Sequence, residues 1–357
     1  MKIVLHHGHY PEDGTRDEAE IMECYWRYLS QTDAEVQAYG DAEPDLNGAD
    51  AIHFFGMSAQ AYQTARNAVD ARIPFVVTPL YWNDEYPIYY DLRDMAAING
   101  APPVRERKTG MEYFRKMMLL SKVRQQKFIL DNAGLIFASG KCEKMLLCRD
   151  FNLPEARVAV MPVGVDLSMG MGKPDVFVEK YGVKDFLLCV GPLLRRKNQH
   201  MMVDIAREQD MPLVLIMPGG STDSEYSKYC HTMATDKTLF ITAPEPQIFR
   251  SAFHAARAFV QPSHSELPGV ATLTAALAGR PIAVTDHGTT WDYLGRHVQY
   301  CEPDDIDSIT GALQRALAAG PDPALKKELL TQNSWGKIVM TMIKLYHKLA
   351  TAKNGAR

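Results

Sequence analysis

Short apolar runs alternate with helical patterns from one end of this sequence to the other. Ten runs read as buried strands: KIVLH (2–6), AIHFF (51–55), PFVVT (74–78), LIFAS (135–139), VAVMP (158–162), FLLCV (186–190), LVLIM (213–217), LFIT (239–242), AFVQP (258–262) and IAVT (282–285). Helical periodicity covers residues 16–30, 58–71, 110–131, 140–149, 198–208, 223–234, 246–256, 270–278 and 305–318. Short strands separated by helices pair in parallel and are covered on both faces. The sequence therefore predicts an α/β protein.

The strand–helix units form two successive sets, which indicates two domains. A chain of 357 residues also exceeds one ordinary core, since a domain averages about 150 residues. We expect two Rossmann-like domains with parallel sheets, residues 1–165 and 166–332, followed by a terminal segment, 333–357. The boundary is placed near VGVDLSMGMGKPD (163–175), where Gly and Met cluster.

Charge and cysteine content exclude several classes of protein. The net charge of −4 is not that of a general nucleic-acid binder. The 6 cysteines contain no CxxC pair, which argues against zinc ribbons and fits a reducing, cytoplasmic setting. No apolar run approaches the roughly 18 residues of a membrane span, and the N-terminus lacks the apolar core of a secretory signal. These features predict a soluble or peripheral protein.

The segment FVQPSHSELPGVATLTAALAGRPIAVTDHG (259–288) carries the densest functional signal. It reads as a strand, a loop with Glu266, and a helix that begins near Pro268 and Gly269. Free backbone amides at a helix N-terminus, here including that of Val270, bind anions, and a diphosphate suits such a site. An ordinary strand–turn–helix with a solvated glutamate is the alternative interpretation.

This segment resembles the donor-site signature of family 4 retaining glycosyltransferases of the GT-B fold. The matching residues are Pro262, Ser263, Glu266, Gly269, Ala275, Gly279 and Pro281. Where the family has a second glutamate that holds the nucleotide ribose, this chain has Thr274. The resemblance implies that Glu266 orients the donor sugar.

A second stretch, FLLCVGPLLRRKNQHMMVDIAR (186–207), resembles the diphosphate-binding segment of the same family. Gly191 and Lys197 fall at matching positions, but Pro192 replaces an arginine, whose role Arg196 or Arg195 could take. The resemblance implies that Lys197 stabilises the leaving diphosphate, because a fixed cation favours developing negative charge. As a loop residue, Lys197 is expected to contribute little to folding. A solvated basic turn is the alternative.

Taken together, the resemblance implies a glycosyltransferase that moves a sugar from a nucleotide-sugar donor to a glycan or lipid-linked acceptor with retention of configuration. Glu266 and Lys197 are the candidate catalytic residues, with no metal and no cofactor besides the donor. The resemblance also implies that the two parallel sheets face each other across a cleft, as in GT-B enzymes, and that the terminal helix (333–357) returns to the N-terminal domain. Two other functions stay open: a non-catalytic binding module of the same fold, and a nucleotide-sugar epimerase.

The N-terminal half offers candidate acceptor contacts. His7 lies in a histidine cluster after the first strand, and Tyr81 and Trp82 follow the strand at 74–78. Ligands in open α/β sheets bind at the carboxyl ends of strands, and aromatic rings stack on sugars. Loop packing of the aromatic residues and a metal site at the histidines are the alternatives. His53 is the sole candidate for a catalytic histidine between residues 53 and 199.

Residues 105–127 contain eight basic and two acidic side chains, a local charge of +6. Such a segment can contact an anionic membrane surface or a lipid-diphosphate acceptor. Because its charges are spread around the helix, a solvated helix with buried Met and Leu is the alternative.

Overall fold

The computed structural model describes residues 1–8, 17–40, 42–82, 110–218, 225–267 and 269–355. The chain divides into two compact units. The first unit contains Met1–Val163 together with Gly336–Arg357, and the second contains Gly164–Trp335.

The first unit is built on a six-stranded parallel sheet with the order β2-β1-β3-β4-β5-β6. Its strands are β1 Lys2–His7, β2 Glu35–Tyr39, β3 Ala51–Phe55, β4 Phe75–Thr78, β5 Leu135–Ala138 and β6 Val158–Val160. Its helices are α1 Asp17–Leu29, α2 Ala59–Asp70, α3 Gly110–Asn132, α4 Lys141–Phe151 and the terminal helix Trp335–Gly355.

The second unit has its own six-stranded parallel sheet, in the order β12-β11-β10-β7-β8-β9. Its strands are β7 Phe186–Val190, β8 Leu213–Met217, β9 Thr238–Thr242, β10 Ala256–Gln261, β11 Ile282–Thr285 and β12 Gln299–Cys301. Its helices are α5 Pro174–Tyr181, α6 Gln199–Glu208, α7 Glu225–Met233, α8 Pro246–Ala255, α9 Val270–Leu277, α10 Thr290–Leu294, α11 Ile306–Ala319 and α12 Pro323–Gln332. We number the terminal helix, Trp335–Gly355, α13.

The predicted fold class is confirmed by these two parallel α/β sheets. The central strands β3, β7, β8 and β11 are buried at every position, which is why their sequences are continuous apolar runs. Two strands were not predicted, β2 and β12, and each forms one edge of its sheet. Edge strands are covered less, and β2 carries the polar sequence EVQAY with no buried residue.

Each sheet contains one point at which the direction of the strand order reverses. In the second unit β7 lies between β10 and β8, and in the first unit β1 lies between β2 and β3. The loops that leave two neighbouring strands at such a point diverge to opposite faces and open a crevice at the carboxyl ends of the strands. The loops after β7 and β10 are therefore the first place to look for a site in the second unit.

Candidate functional site

The loops after β7 and β10 bring together the residues that the sequence singled out. Gly191 follows β7 with φ of +148°, and Lys197 ends the short turn that precedes α6. A Cβ built on Gly191 would lie 3.6 Å from Cε of Lys197, so the lysine stem lies directly against the glycine. At this distance a Cβ would only make ordinary van der Waals contact with the lysine, so it is the positive φ of Gly191 that favours glycine here.

Lys197 and Glu266 form a buried ion pair. The Nζ atom of Lys197 lies 2.9 Å from Oε1 and 3.1 Å from Oε2 of Glu266. The two residues are 5% and 3% exposed, so both charges are withdrawn from water. Burial alone would raise the pKa of Glu266, but Lys197 and then Arg196 hold this pKa below its usual value. Lys197 is therefore not the ordinary loop residue that its sequence suggested, and we expect its removal to destabilise the fold, because the Glu266 charge would stay buried without its partner.

The backbone of Glu266 is held by the segment after β11. Its N–H donates to the His287 carbonyl at 3.1 Å, and the Thr289 N–H donates to its carbonyl at 3.0 Å. Gly288 lies opposite with φ of +104°, and a Cβ there would lie 2.1 Å from the carbonyl oxygen of Glu266. This close approach requires glycine, and it fixes where the carboxylate can point.

The carboxylate of Glu266 faces the beginning of α9. Gly269 precedes the helix with φ of +61°, and a Cβ there would lie 3.4 Å from Oε2 of Glu266. Val270 is the first residue of α9, whose first-turn amides carry the positive end of the helix dipole. Pro268, also predicted here, lies outside the described residues. The ion pair and the start of α9 thus form one polar site.

Two other residues that were predicted to bind the nucleotide-sugar donor, Arg196 and Thr274, form hydrogen bonds to backbone carbonyls of the second unit. A guanidinium nitrogen of Arg196 donates to the Ser265 carbonyl at 2.9 Å, so this arginine clamps the loop after β10. The Thr274 hydroxyl donates to the Val270 carbonyl at 2.9 Å inside α9, and Thr274 is 5% exposed. The proton of this hydroxyl is used within the helix, so the structure does not support Thr274 as a donor of a hydrogen bond to a ribose.

Asn198 is a site residue that the sequence analysis missed. It has φ of +60°, and its Nδ2 donates to the Pro262 carbonyl at 3.0 Å and to the Pro303 carbonyl at 2.7 Å. One buried amide therefore ties the loops after β7, β10 and β12 together. An asparagine directly before a helix was the only signal in the sequence, and it reads equally as an ordinary cap.

Buried polar atoms without a partner gather at this edge of the second sheet. Among the described residues, five buried side-chain atoms have none, and four of these belong to Asn198, Gln199, Thr289 and Thr290. Asn198 and Thr289 end the loops after β7 and β11, and Gln199 and Thr290 are the first residues of the helices α6 and α10 that follow. A buried polar atom without a partner costs about 1–3 kcal/mol, so this concentration is typical of a site that binds polar groups.

The predicted acceptor residues lie in the first unit, and they differ in accessibility. His7, the last residue of β1, is half-buried, with Nδ1 lying 3.3 Å from the Gly8 carbonyl. Tyr81 is 8% exposed, and its hydroxyl donates to Asp150 at 3.0 Å. Trp82 is half-buried against the core of the first unit. Tyr81 is thus a packing residue in this structure, which favours the loop-packing interpretation for it. Residues 83–91, which continue the tyrosine-rich sequence TPLYWNDEYPIYYD (78–91), lie outside the described part.

His53 is fully buried in the centre of the first sheet. Its Nδ1 lies 2.6 Å from the Tyr346 hydroxyl and its Nε2 lies 2.8 Å from the Thr78 hydroxyl. Phe55 stacks on the ring at 4.1 Å. Burial lowers the pKa of His53 to about 3, so the ring is neutral at neutral pH. Both nitrogens are engaged, which identifies His53 as a structural link between the sheet and α13 rather than a catalytic base.

The basic segment 105–127 is only partly covered by the structure. Residues 105–109 lie outside the described part, and within α3 the exposed Lys122 and Arg124 flank the buried Val123. None of the described helices is both long enough and apolar enough to cross a bilayer. Within the described ranges there is also no group of three or more His, Cys, Asp or Glu residues that could hold a metal ion.

Comparisons with known proteins found a family model that matches part of this chain and solved structures that match nearly all of it. Residues 176–329, a little under half of the chain and all within the second unit, match the model of the family described as glycosyl transferases group 1. The chain has the GT-B fold. It is 16% identical to a sucrose-phosphate synthase from Thermosynechococcus elongatus, with a TM-score of 0.71 over 98% of this chain and 99% of that one. It is 13% identical to Anabaena HepE in complex with UDP and glucose, with a TM-score of 0.71 over 98% of this chain and 100% of that one.

The relatives found by sequence match a smaller part of this chain than the solved structures do. The chain is 23% identical, over 59% of its own length and 59% of the relative's, to an uncharacterised glycosyltransferase of Methanocaldococcus jannaschii. It spans about half the length of the curated relatives it matches. A UDP-GlcNAc 2-epimerase of the same archaeon shares the fold as well, at 12% identity and a TM-score of 0.60 over 98% of this chain and 100% of that one. Structural likeness at such identities establishes the fold alone.

Proposed function

We propose that this protein is a glycosyltransferase that takes a sugar from a nucleoside-diphosphate donor bound in the second unit. The observation that carries the proposal is the buried Lys197–Glu266 pair, at the strand-order reversal and facing the start of α9. The match of residues 176–329 to glycosyl transferases group 1 supports the same assignment.

In the proposed reaction, the negative charge that develops on the leaving diphosphate is stabilised from two sides. An ammonium group has three N–H donors, and among the described residues Lys197 bonds only to the two carboxylate oxygens of Glu266. A further N–H is available to a phosphate oxygen. The first-turn amides of α9, next to Gly269, supply uncharged donors to the same group. Donors fixed before the reaction need no reorganisation as charge builds up.

Glu266 has the chemistry to orient the donor sugar. It is held ionised by Lys197 and fixed through its backbone by the segment after β11. An ionised carboxylate accepts hydrogen bonds from sugar hydroxyls more strongly than a neutral group does. Glu266 would then hold the sugar while Lys197 holds the phosphate, so that the bond to be broken lies between them.

We further propose retention of configuration, with the leaving phosphate serving as the base for an acceptor hydroxyl on a glycan or lipid-linked acceptor. The resemblance of the motif around Glu266 to family 4 enzymes supports this. Such a reaction requires neither a side-chain base nor a metal. The neutral, enclosed His53 agrees with it, because the first unit then need not supply a histidine base.

Calorimetric titration with UDP, GDP, ADP and dTDP tests the proposal directly. We expect one diphosphate to bind, and Lys197→Met to weaken this binding about 100-fold, the loss of roughly 3 kcal/mol expected for a donor aimed at charge. Lys237→Met is the matched control, since Lys237 pairs with Asp210 on the exposed surface of the same unit. Binding of no member of the panel would contradict the proposal and favour a module that does not act on nucleotides.

Product analysis separates transfer from epimerisation. The parent protein is incubated with the nucleotide sugar whose diphosphate binds, with and without a mixture of glycan acceptors. A transferase releases the diphosphate in an acceptor-dependent manner. Conversion of the donor to an epimer with the diphosphate still attached would identify an epimerase instead.

A further inference from the structure

The side chain of Gln261 lies behind the ion pair, at the end of β10. It is 2% exposed and contacts two elements at once. Its Oε1 accepts from the Val190 N–H at 3.4 Å and from the Cys189 thiol at 3.3 Å. Its Nε2 donates to the Ser263 hydroxyl at 2.9 Å. The hydroxyl of Ser263, in turn, donates to Oε1 of Glu266 at 2.5 Å.

The backbone of β7 fixes which group donates and which accepts in each of these hydrogen bonds. An amide N–H such as that of Val190 can only donate, so the group of Gln261 that faces it must be the oxygen. The amide nitrogen of Gln261 then points to Ser263. A hydroxyl has a single proton, and because Ser263 accepts from Gln261 it turns that proton to Glu266.

The Cys189 thiol reinforces this direction. Burial raises the pKa of Cys189 to about 12, so the thiol keeps its proton and acts as a donor to Oε1 of Gln261. Two charged groups, Lys197 and Arg196, both from the turn before α6, lower the pKa of Glu266. Each of these groups favours the ionised form of Glu266, which can only accept hydrogen bonds.

We propose that Gln261 is a positioning residue that acts through Ser263 to keep the Glu266 carboxylate ionised and turned towards Lys197. Gln261 itself need not touch the donor. The benefit to sugar transfer rests on the proposed function, whereas the direction of the hydrogen bonds does not. The sequence motif contains Ser263 and Glu266 but not Gln261, so the residue that sets the direction lies outside the recognised pattern.

Replacing Gln261 by Glu reverses the relay with almost no change of shape. A glutamate at this position offers only acceptors, so the Ser263 proton turns away from Glu266 and towards the new carboxylate. A second negative charge is also brought near Glu266 inside the protein. Gln261→Met removes the relay without adding a charge, and Ser263→Ala removes only the last link. Gln37→Glu, on half-buried β2 of the first unit, is the matched control for the added charge.

The test follows the titration of Glu266 itself by NMR of protein labelled with carbon-13 at the glutamate carboxyl groups, with the signal assigned by its absence in Glu266→Gln. We expect the titration midpoint of Glu266 to rise in Gln261→Met and Ser263→Ala, to rise most in Gln261→Glu, and to stay at the parent value in Gln37→Glu. A midpoint unchanged in both Gln261→Met and Ser263→Ala would overturn the proposal. These two variants decide the matter even if Gln261→Glu does not fold.

Nucleotide binding gives a second readout. For the diphosphate that binds the parent, the Kd of Gln261→Met should rise about five- to tenfold, the loss expected for one neutral hydrogen bond. When the solution is acidified, Gln261→Met should lose nucleotide binding at a higher pH than the parent does. If no diphosphate binds the parent, the proposed function fails, while the NMR titration still decides whether Gln261 controls Glu266.

Discussion

Two carboxylates, Glu143 in the first unit and Glu266 in the second, are equally buried but differ in what surrounds them. Glu143 accepts from the Tyr81 N–H at 2.7 Å and from the N–H and hydroxyl of Ser139 at 2.7 and 2.6 Å. Its described partners are all neutral donors. Burial raises the pKa of Glu143, whereas the pKa of Glu266 is lowered because Lys197 and Arg196 outweigh burial.

The difference separates a structural carboxylate from a candidate functional one. Glu143 ties the loop after β4 to the start of α4 with bonds that are complete without any ligand. At Glu266 the partner is a buried cation, Lys197, and among the described residues four buried polar atoms of the nearby Asn198, Gln199, Thr289 and Thr290 lack partners. Buried charge is costly, and it is more expected where a reaction uses it than where it only holds a fold.

Breaking the ion pair from one side should have the largest effect. Lys197→Ala leaves the Glu266 carboxylate buried without its cation, and we expect the free energy of unfolding to fall by about 3–5 kcal/mol. Urea unfolding monitored by circular dichroism measures this loss.

Exchanging the partners separates stability from function. The double variant Lys197→Glu with Glu266→Lys keeps a buried pair, so it should recover part of the lost stability, but it places a carboxylate where the phosphate is proposed to bind and should not bind nucleotide. Strong nucleotide binding by the exchanged pair would remove Lys197 from the donor site.

The two carboxylates should also show opposite pH trends. The folded pKa of Glu143 is raised, so its contribution to stability is complete below its unfolded pKa and is lost as the pH rises through the folded value. The folded pKa of Glu266 is lowered, so its contribution is complete above its unfolded pKa and is lost as the pH falls through the folded value.

Matched Glu→Gln variants test these trends. The cost of Glu266→Gln should grow as the pH rises from about 3 to 7, while the cost of Glu143→Gln, about 1–3 kcal/mol for an unsatisfied buried N–H, should shrink. Urea unfolding across this pH range measures both. Parallel pH curves would show that the two sites do not differ in the way described.

Two glycines offer a smaller version of the same comparison. Gly288→Ala meets the carbonyl of Glu266 and requires a left-handed backbone, which costs about 1–3 kcal/mol by itself. Gly8→Ala, in the first unit, meets the Ser58 hydroxyl, which caps α2. Rotation can move the hydroxyl away, which loses a cap worth about 1 kcal/mol. The Ser58 Cβ, 2.8 Å from the new methyl group, cannot rotate away, so a small backbone shift adds to this loss. Thermal unfolding compares the two, and only Gly288→Ala should weaken nucleotide binding.

The smallest effect is expected at His53. Tyr346→Phe removes the hydroxyl that pairs with Nδ1 of His53, which should lower the free energy of unfolding by about 1 kcal/mol. Nucleotide binding should be unchanged, because this contact only links α13 to the first sheet. A loss of binding in Tyr346→Phe with intact folding would instead make His53 part of the function.

The sequence was most informative where local pattern and burial coincide. The runs AIHFF, FLLCV, LVLIM and IAVT correspond residue for residue to strands, since a strand covered on both faces is apolar at nearly every position, here all but His53 and Thr285. Helices α5, α10 and α12 were not predicted. The signal for α12 was present in the sequence, because PALKKELLTQ is rich in strong helix formers and follows the capping residue Asp322. Helices α5 and α10 are short, with 8 and 5 residues, so their periodicity is weak.

The site was predictable in its members but not in their contacts. Lys197 and Glu266 were named separately, yet they lie 69 positions apart, and only the order of the strands brings them together. The partner of Thr274 is its own helix and that of Tyr81 is Asp150, and neither contact has a sequence signature. Gln261 was missed because its role depends on β7, the strand beside it.

The buried amide of Asn198 has a consequence for motion. Because this one side chain donates to the carbonyls of Pro262 and Pro303, the loops after β7, β10 and β12 are all held by Asn198. None of them can open far without releasing the others, so their amide hydrogens should exchange with solvent at one common rate, as a single cooperative unit. A molecule that binds to any one of these loops would slow amide hydrogen exchange in all three.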